Sequence, residues 1–201
     1  PIPLTVRKAA YKAARIAGVR ANMDVRETLK QLVLYFRSFT EKENPNRSGD
    51  IYLDLVRQKA GVCRHRSFAF MVTANALGIP TRYVSNEAHA WVETHLGPAG
   101  WIRIDLGGAA AGFNIDNAEN SSLFSSQTQD PFSQPESYRN SYSLLNGSIH
   151  GLRESQLTEF RTLQRHQLSQ QQSETPIDRP QSESPQPALP DLTAPPAVQN
   201  G

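Results

Sequence analysis

The chain has 201 residues, enough for one full domain and too few for two comfortable ones, with 38% hydrophobic residues, 20% charged residues and a formal net charge of +2. A single cysteine, Cys63, excludes an internal disulfide framework. No apolar run approaches the roughly 20 residues that cross a bilayer, so this segment is not expected to insert into a membrane.

Charge is uneven along the chain. Residues 1–110 carry 16 Lys and Arg against 9 Asp and Glu, and residues 111–201 carry 5 against 10. The basic residues scatter through helical patterns and form no long run, which points to solvated helix faces and away from a nucleic-acid partner. They also supply a mildly positive field for an acidic one. The sequence starts at Pro1 and stops inside a proline-rich stretch. It reads as part of a longer protein, whose other domains are then expected neighbours.

Residues 5–17, TVRKAAYKAARIA, predict a helix that Gly18 closes. Asp24 and Glu27 stand three apart as in a capping box, and Leu29, Leu32, Val33, Phe36 and Phe39 follow at helical spacing, so a second amphipathic helix is predicted over 24–40. EKENPNRSGD is a loop by its Pro, Gly and Asn content. IYLDLVRQKA predicts a short helix stopped by Gly61. A further buried helix, with Phe68, Met71, Val72, Ala76 and Leu77 as apolar positions, begins at or just before Cys63 and ends at Gly78 and Pro80.

The texture then becomes strand-like over Thr81–Ser85, His89–Thr94 and Trp101–Leu106, with HLGPAG as turn chemistry between the last two. Helices followed by an antiparallel meander make an α+β core. Beyond Gly107 the expectation is loop or linker. Residues 137–168 could hold one or two helices, and a Gln-, Pro- and Ser-rich tail from Ser169 lacks the apolar side chains needed to offset chain entropy. The expected division is a catalytic domain over 1–112, a linker over 113–168 and a largely disordered tail over 169–201.

Cys63 stands where a helix N-terminus is predicted. Unpaired N–H groups and the positive end of the helix dipole favour a thiolate there, and Arg64, His65 and Arg66 push the same way. From position alone, a nucleophile and a small buried thiol are both open. A cysteine nucleophile needs an imidazole, and the imidazole needs a third group to orient it. Of the five histidines, His150 and His166 lie in the weakly patterned half, His65 is two residues from Cys63 and points away on a helix, and His95 sits at a turn. His89, in NEAHAWVE, is the best placed, with a satisfied strand histidine as the alternative. Asp105 ends the strand WIRID on the same face as Trp101 and Arg103. It falls opposite or diagonal to His89 if the two strands pair; otherwise it is a strand-terminal turn aspartate.

Taken in order, the Gly-x-Cys helix start, the helix ending in GIPTRYV, the HAWVE strand and the W-x-x-x-D strand of residues 61–108 resemble the core of the transglutaminase-like superfamily, of bacterial type. The resemblance implies a papain-like fold, with Cys63 at a helix N-terminus packed on an antiparallel sheet. It also implies a catalytic triad of Cys63, His89 and Asp105 that acts on a protein or peptide substrate, at a glutamine or backbone amide, through a thioester. The Cys63 backbone N–H is expected in the oxyanion hole, with Gln58 as a candidate second donor or else a helix-surface glutamine. Trp91 is expected to pack beside the site or to touch the reacting group directly.

Two departures from the family pattern stand out. Asp105-Leu106-Gly107-Gly108 replaces the usual Asp-Pro-Thr, and Arg64-His65-Arg66 follows the cysteine where relatives carry acidic or small residues. Glu87 and Glu93 could bind a cation or amine but read more simply as exposed strand charges. Nothing resembles an assembled calcium loop, and a metal site from Cys63, His65 and His89 lacks ligand spacing, so no metal and no cofactor is expected. A catalytically silent scaffold module on the same fold is the competing expectation.

Overall fold

The computed structural model describes residues 2–42, 47–86, 89–108, 112–114, 128–135, 148–150 and 153–173. Four helices come first: α1 (Leu4–Ile16), α2 (Val25–Arg37), α3 (Ile51–Gln58) and α4 (Cys63–Ala76). Asp24 Oδ1 accepts from the Glu27 backbone N–H and Asp50 Oδ1 from that of Leu53, so α2 and α3 both start on aspartate caps. Lys59 ends α3 in the left-handed region at φ 48°, a place more often given to glycine.

The helices pack around α4. Phe36 of α2 meets Phe70 of α4 edge-on, with ring centroids 5.7 Å apart, and also contacts Phe39. Leu32, Val33, Val56, Ala69, Ala74, Val92, Ile104 and Leu106 complete a core that joins helices to sheet. Each large side chain buried there contributes on the order of 1.5–3 kcal/mol relative to exposure. The strands β1 (Thr81–Ser85), β2 (Ala90–His95) and β3 (Trp101–Ile104) form an antiparallel meander in the order β1-β2-β3. A short 3-10 turn at Gly97–Ala99 links the last two. The architecture is the expected α+β arrangement: β1 has its predicted bounds, β2 is shifted by one residue, and β3 ends two residues early.

Two features of the second half were not expected, and the remainder of the expected tail, 174–201, lies outside the described residues. Gly112–Asn114 (β4) pairs in parallel with Ser148–His150 (β5), where only loop and possible helices were expected. The two segments find each other across more than 30 residues, and neither carries a local strand signal. Helix α5 (Glu154–Ser173) extends past Ser169. Residues 128–135 lie against the first domain, with Phe132 packed on its core. Among the described residues no helix is long and apolar enough to cross a membrane.

Candidate active site

The chain enters α4 through a tight corner. Gly61 adopts φ +139°, and a Cβ there would stand 2.6 Å from the Cβ of His65, so glycine two residues before Cys63 is required by both conformation and space. Thr40 holds this corner, its N–H donating to Lys59 O and its carbonyl accepting from Gly61 N. Val62 is the N-cap and has no side-chain acceptor to offer; the His65 Nδ1 instead accepts from the Val62 N–H at 3.3 Å. Cys63 is the first helical residue and is half-buried.

His89 lies just before β2, in a turn fixed by reciprocal bonds with Asn86: the Asn86 N–H donates to His89 O, and the His89 N–H donates to Asn86 Oδ1. Val92 pairs with Ile104 across β2 and β3. One step further along that register Trp91 faces Asp105, so His89 and Asp105 are diagonal neighbours. Their side chains meet: His89 Nε2 is 2.8 Å from Asp105 Oδ1, with both side chains fully buried. Nε2 is thereby engaged, which leaves Nδ1 as the nitrogen for the thiol.

Electrostatics bind the three groups together. Burial alone would raise the Cys63 thiol pKa, but the hydrogen bond and charge of His89, with the backbone N–H groups of Ala90 and Arg64, bring it below its usual value. Burial alone would lower the His89 pKa; the Asp105 charge and hydrogen bond, and then Cys63, push it up to about 9. Burial would raise the Asp105 pKa, and His89 and Arg103 hold it well below the usual carboxylate range. A thiol pulled down beside an imidazole pushed up is the electrostatic signature of a thiolate–imidazolium pair.

A family model describing the transglutaminase-like superfamily matches residues 11–106. No curated protein matches the chain. Among solved structures, the periplasmic domain of TgpA from Pseudomonas aeruginosa is 22% identical over 52% of this chain and 48% of its own, with a TM-score of 0.38. Its ethylmercury-bound form gives 22%, 53%, 46% and 0.39. A candidate cysteine protease from Cytophaga hutchinsonii is 21% identical over 53% of this chain and 41% of its own, with a TM-score of 0.40. The chain thus aligns with less than half the length of each of these structures.

Within the family-matching region, Trp91 is buried and stacks on His89, with ring centroids 6.3 Å apart and planes at 24°. The Arg103 guanidinium lies 4.4 Å over the Trp91 ring while its Nη2 donates to Asp105 Oδ2 at 3.0 Å. Glu93 corrects the expectation of an exposed strand charge: it is buried, accepts from Arg82 through Oε2, and accepts from Trp91 Nε1 at 3.4 Å. Its position on the sheet face that carries Trp91 and Arg103 explains the burial. Glu87 lies outside the described residues. Gln58 ends α3, and its backbone carbonyl accepts from Lys42 Nζ at 3.3 Å; the bonds that join Cys63, His89 and Asp105 do not include it.

The expected oxyanion donor is already engaged. The Cys63 N–H donates to Gly108 O at 2.8 Å. Gly107 and Gly108 both take positive φ, +71° and +76°, and a Cβ at Gly108 would stand 2.5 Å from Arg66 Nε. The Gly107-Gly108 pair, in the segment that departs from the family's Asp-Pro-Thr, therefore folds back on the start of α4.

The sequence marks Arg66 only as a charge beside Cys63 and does not mark Arg37 or Asp130. Arg66 is buried and donates to the carbonyls of Gly61, Arg37, Phe39 and Leu106, which ties the corner before Cys63 to the segment after Asp105. Arg37 donates to Asp105 O at 2.8 and 2.6 Å and pairs with Asp130 at 2.9 Å. A groove of about 330 Å³ lies between α3, α4 and β1, lined by Ile51, Tyr52, Leu55, Phe68 and Tyr83, with Arg64 and His65 beside it. Among the described residues no group of three or more His, Cys, Asp or Glu could hold a metal ion.

Proposed function

We propose that this chain is a transglutaminase-like thiol enzyme that attacks a protein or peptide amide, with Cys63 as nucleophile, His89 as acid and base, and Asp105 as its orienting partner. The observation that carries the reading is the fully buried His89–Asp105 hydrogen bond, beside a half-buried Cys63 whose thiol pKa is lowered chiefly by His89 while the imidazole pKa is raised.

The Cys63 sulfur adds to the carbonyl carbon, and His89 gives its proton to the leaving nitrogen as the C–N bond breaks. The acyl group is then a thioester on Cys63. An amine or water attacks it while His89 takes the incoming proton, and the C–S bond breaks to restore the thiol. Amine attack gives transamidation; water gives deamidation or peptide hydrolysis. Asp105 keeps the imidazole in one tautomer and supports its positive charge. The oxyanion would be met by the Cys63 N–H once Gly108 O withdraws, with the Gln58 amide as candidate second donor. The groove beside Arg64 and His65, within one turn of Cys63, is a suitable place for an apolar side chain of the substrate peptide.

The test is the rate of Cys63 alkylation by iodoacetamide as a function of pH, in wild type and His89→Ala. The expected result is a fast thiol with an apparent pKa well below about 8.5, slowed or shifted upward in the variant. Glutamine and peptide amides, with and without a primary amine, then separate the acceptors. One observation favours a silent scaffold module instead: Gly108 O occupies the Cys63 N–H. A slow thiol indifferent to His89→Ala would select that second reading.

A further inference from the structure

We propose that Asp130 is a positioning residue of this active site, clamping the main chain of Asp105 from a segment outside the family-matching region. The inference rests on the proposed roles of Cys63, His89 and Asp105. Asp130 lies 25 residues beyond Asp105 in a stretch with no helical or strand periodicity, yet its side chain has no exposure to solvent. Oδ2 accepts from the Asp105 N–H at 2.7 Å and from Arg37 Nη2 at 2.9 Å, and Oδ1 accepts from the Phe132 N–H at 2.9 Å.

Arg37 completes the other half of the clamp. Its Nε and Nη2 donate to the Asp105 carbonyl, and Nη1 donates to Ser133 O. Both main-chain polar groups of Asp105 are therefore held by two side chains that are themselves an ion pair. The Asp105 carboxylate is held separately, by His89 and the Gly107 N–H on Oδ1 and by Arg103 on Oδ2. Asp105 stands just past the end of β3, where the ladder with β2 has stopped. Without Asp130 and Arg37 nothing in the sheet would fix its backbone.

A buried carboxylate is costly unless its bonds are satisfied. Burial pushes the Asp130 pKa up to about 7, against Arg37 and with added repulsion from Asp105. A merely structural acid at this place would be better replaced by an apolar side chain. Its placement makes sense if the Asp105 N–H needs an acceptor and the Asp105 geometry must be tight, since small misplacements of reacting groups can cost up to about 100-fold in rate.

The experiment measures the iodoacetamide alkylation rate of Cys63 against pH in the full chain, for wild type, Asp130→Ala and Asp130→Asn, with thermal melts to establish folding. Asp130→Ala should slow alkylation roughly tenfold at pH 6 and move the profile upward. Asp130→Asn keeps a carbonyl acceptor for the Asp105 N–H and should stay within about threefold of wild type. Equal rates in wild type and Asp130→Ala, or equal losses in both variants, overturn the positioning role while leaving the thiol chemistry standing. If Asp130→Ala does not fold, Arg37→Met decides by the same criterion: a profile moved upward supports the clamp, and an unchanged one overturns it. A wild-type thiol of ordinary reactivity would remove the proposed function, and this inference with it.

Discussion

The backbone N–H of Cys63 donates to the carbonyl of Gly108 at 2.8 Å. In a helix-borne cysteine nucleophile this N–H is the natural donor to a developing oxyanion. The same two-glycine segment rests on the Arg66 guanidinium, so the donor is covered by a piece of backbone whose positive φ angles only glycine tolerates easily.

A covalent adduct between Cys63 and a peptide aldehyde should break this contact. The Cys63 N–H should turn to the adduct oxygen, and its distance to Gly108 O should exceed about 3.5 Å. A crystal structure of the adduct is the measurement. Persistence of the original bond would exclude the Cys63 N–H as oxyanion donor and leave side-chain donors such as Gln58.

Turnover should follow a bell in pH. The rising limb comes from Cys63, whose thiol pKa is lowered chiefly by His89 against the effect of burial, and the falling limb from His89, which loses its proton near 9. The two limbs belong to the coupled pair and not to either residue alone. Stability has its own signs. His89, with a raised folded pKa, contributes fully below its unfolded value near 6.5, and the contribution is lost as pH rises through about 9. Asp105, with a depressed folded pKa, contributes above its unfolded value near 4, and this is lost as pH falls toward its folded value. Melting temperatures across pH would reveal a plateau between these limits; a continued rise in stability above pH 9 would contradict the His89 assignment.

Asp105→Asn should reduce turnover by roughly 10²–10⁴-fold, because the imidazole loses its charge partner and its fixed tautomer. The falling limb should move to lower pH at the same time. Asp105→Leu should instead destabilise the fold by about 3–5 kcal/mol, since His89 and Arg103 would remain buried without their carboxylate. Denaturant melts beside single-turnover kinetics separate the two effects.

Arg66→Met should cost at least about 3 kcal/mol, since four carbonyls lose a charged donor. Arg66→Lys should recover little, because one ammonium cannot reach carbonyls on three separate segments as a planar guanidinium does. Chemical denaturation checks both; a near-wild-type midpoint for Arg66→Lys would show that charge alone suffices.

The sequence by itself determined the elements of the first 106 residues and their order, but not the β4–β5 pair. Apolar spacing marked α2 and α4, glycine and proline marked their ends, and alternation marked the three strands, because each signal is written within one element's own periodicity. The nearness of His89 and Asp105 was legible as opposite or diagonal, because two strands joined by a short turn have few ways to pair, whereas grouping Cys63 with them came with the family resemblance. Only the tertiary structure decided what surrounds them. Arg37 and Asp130 meet across 93 residues, and Asp130 reaches Asp105 across 25 from a stretch that reads as linker. Glu93 became buried through Arg82 and Trp91, and Gly108 came to cover the Cys63 N–H. Such contacts carry no period and no local signature. They are selected by which buried polar groups remain to be satisfied once the chain has folded around them.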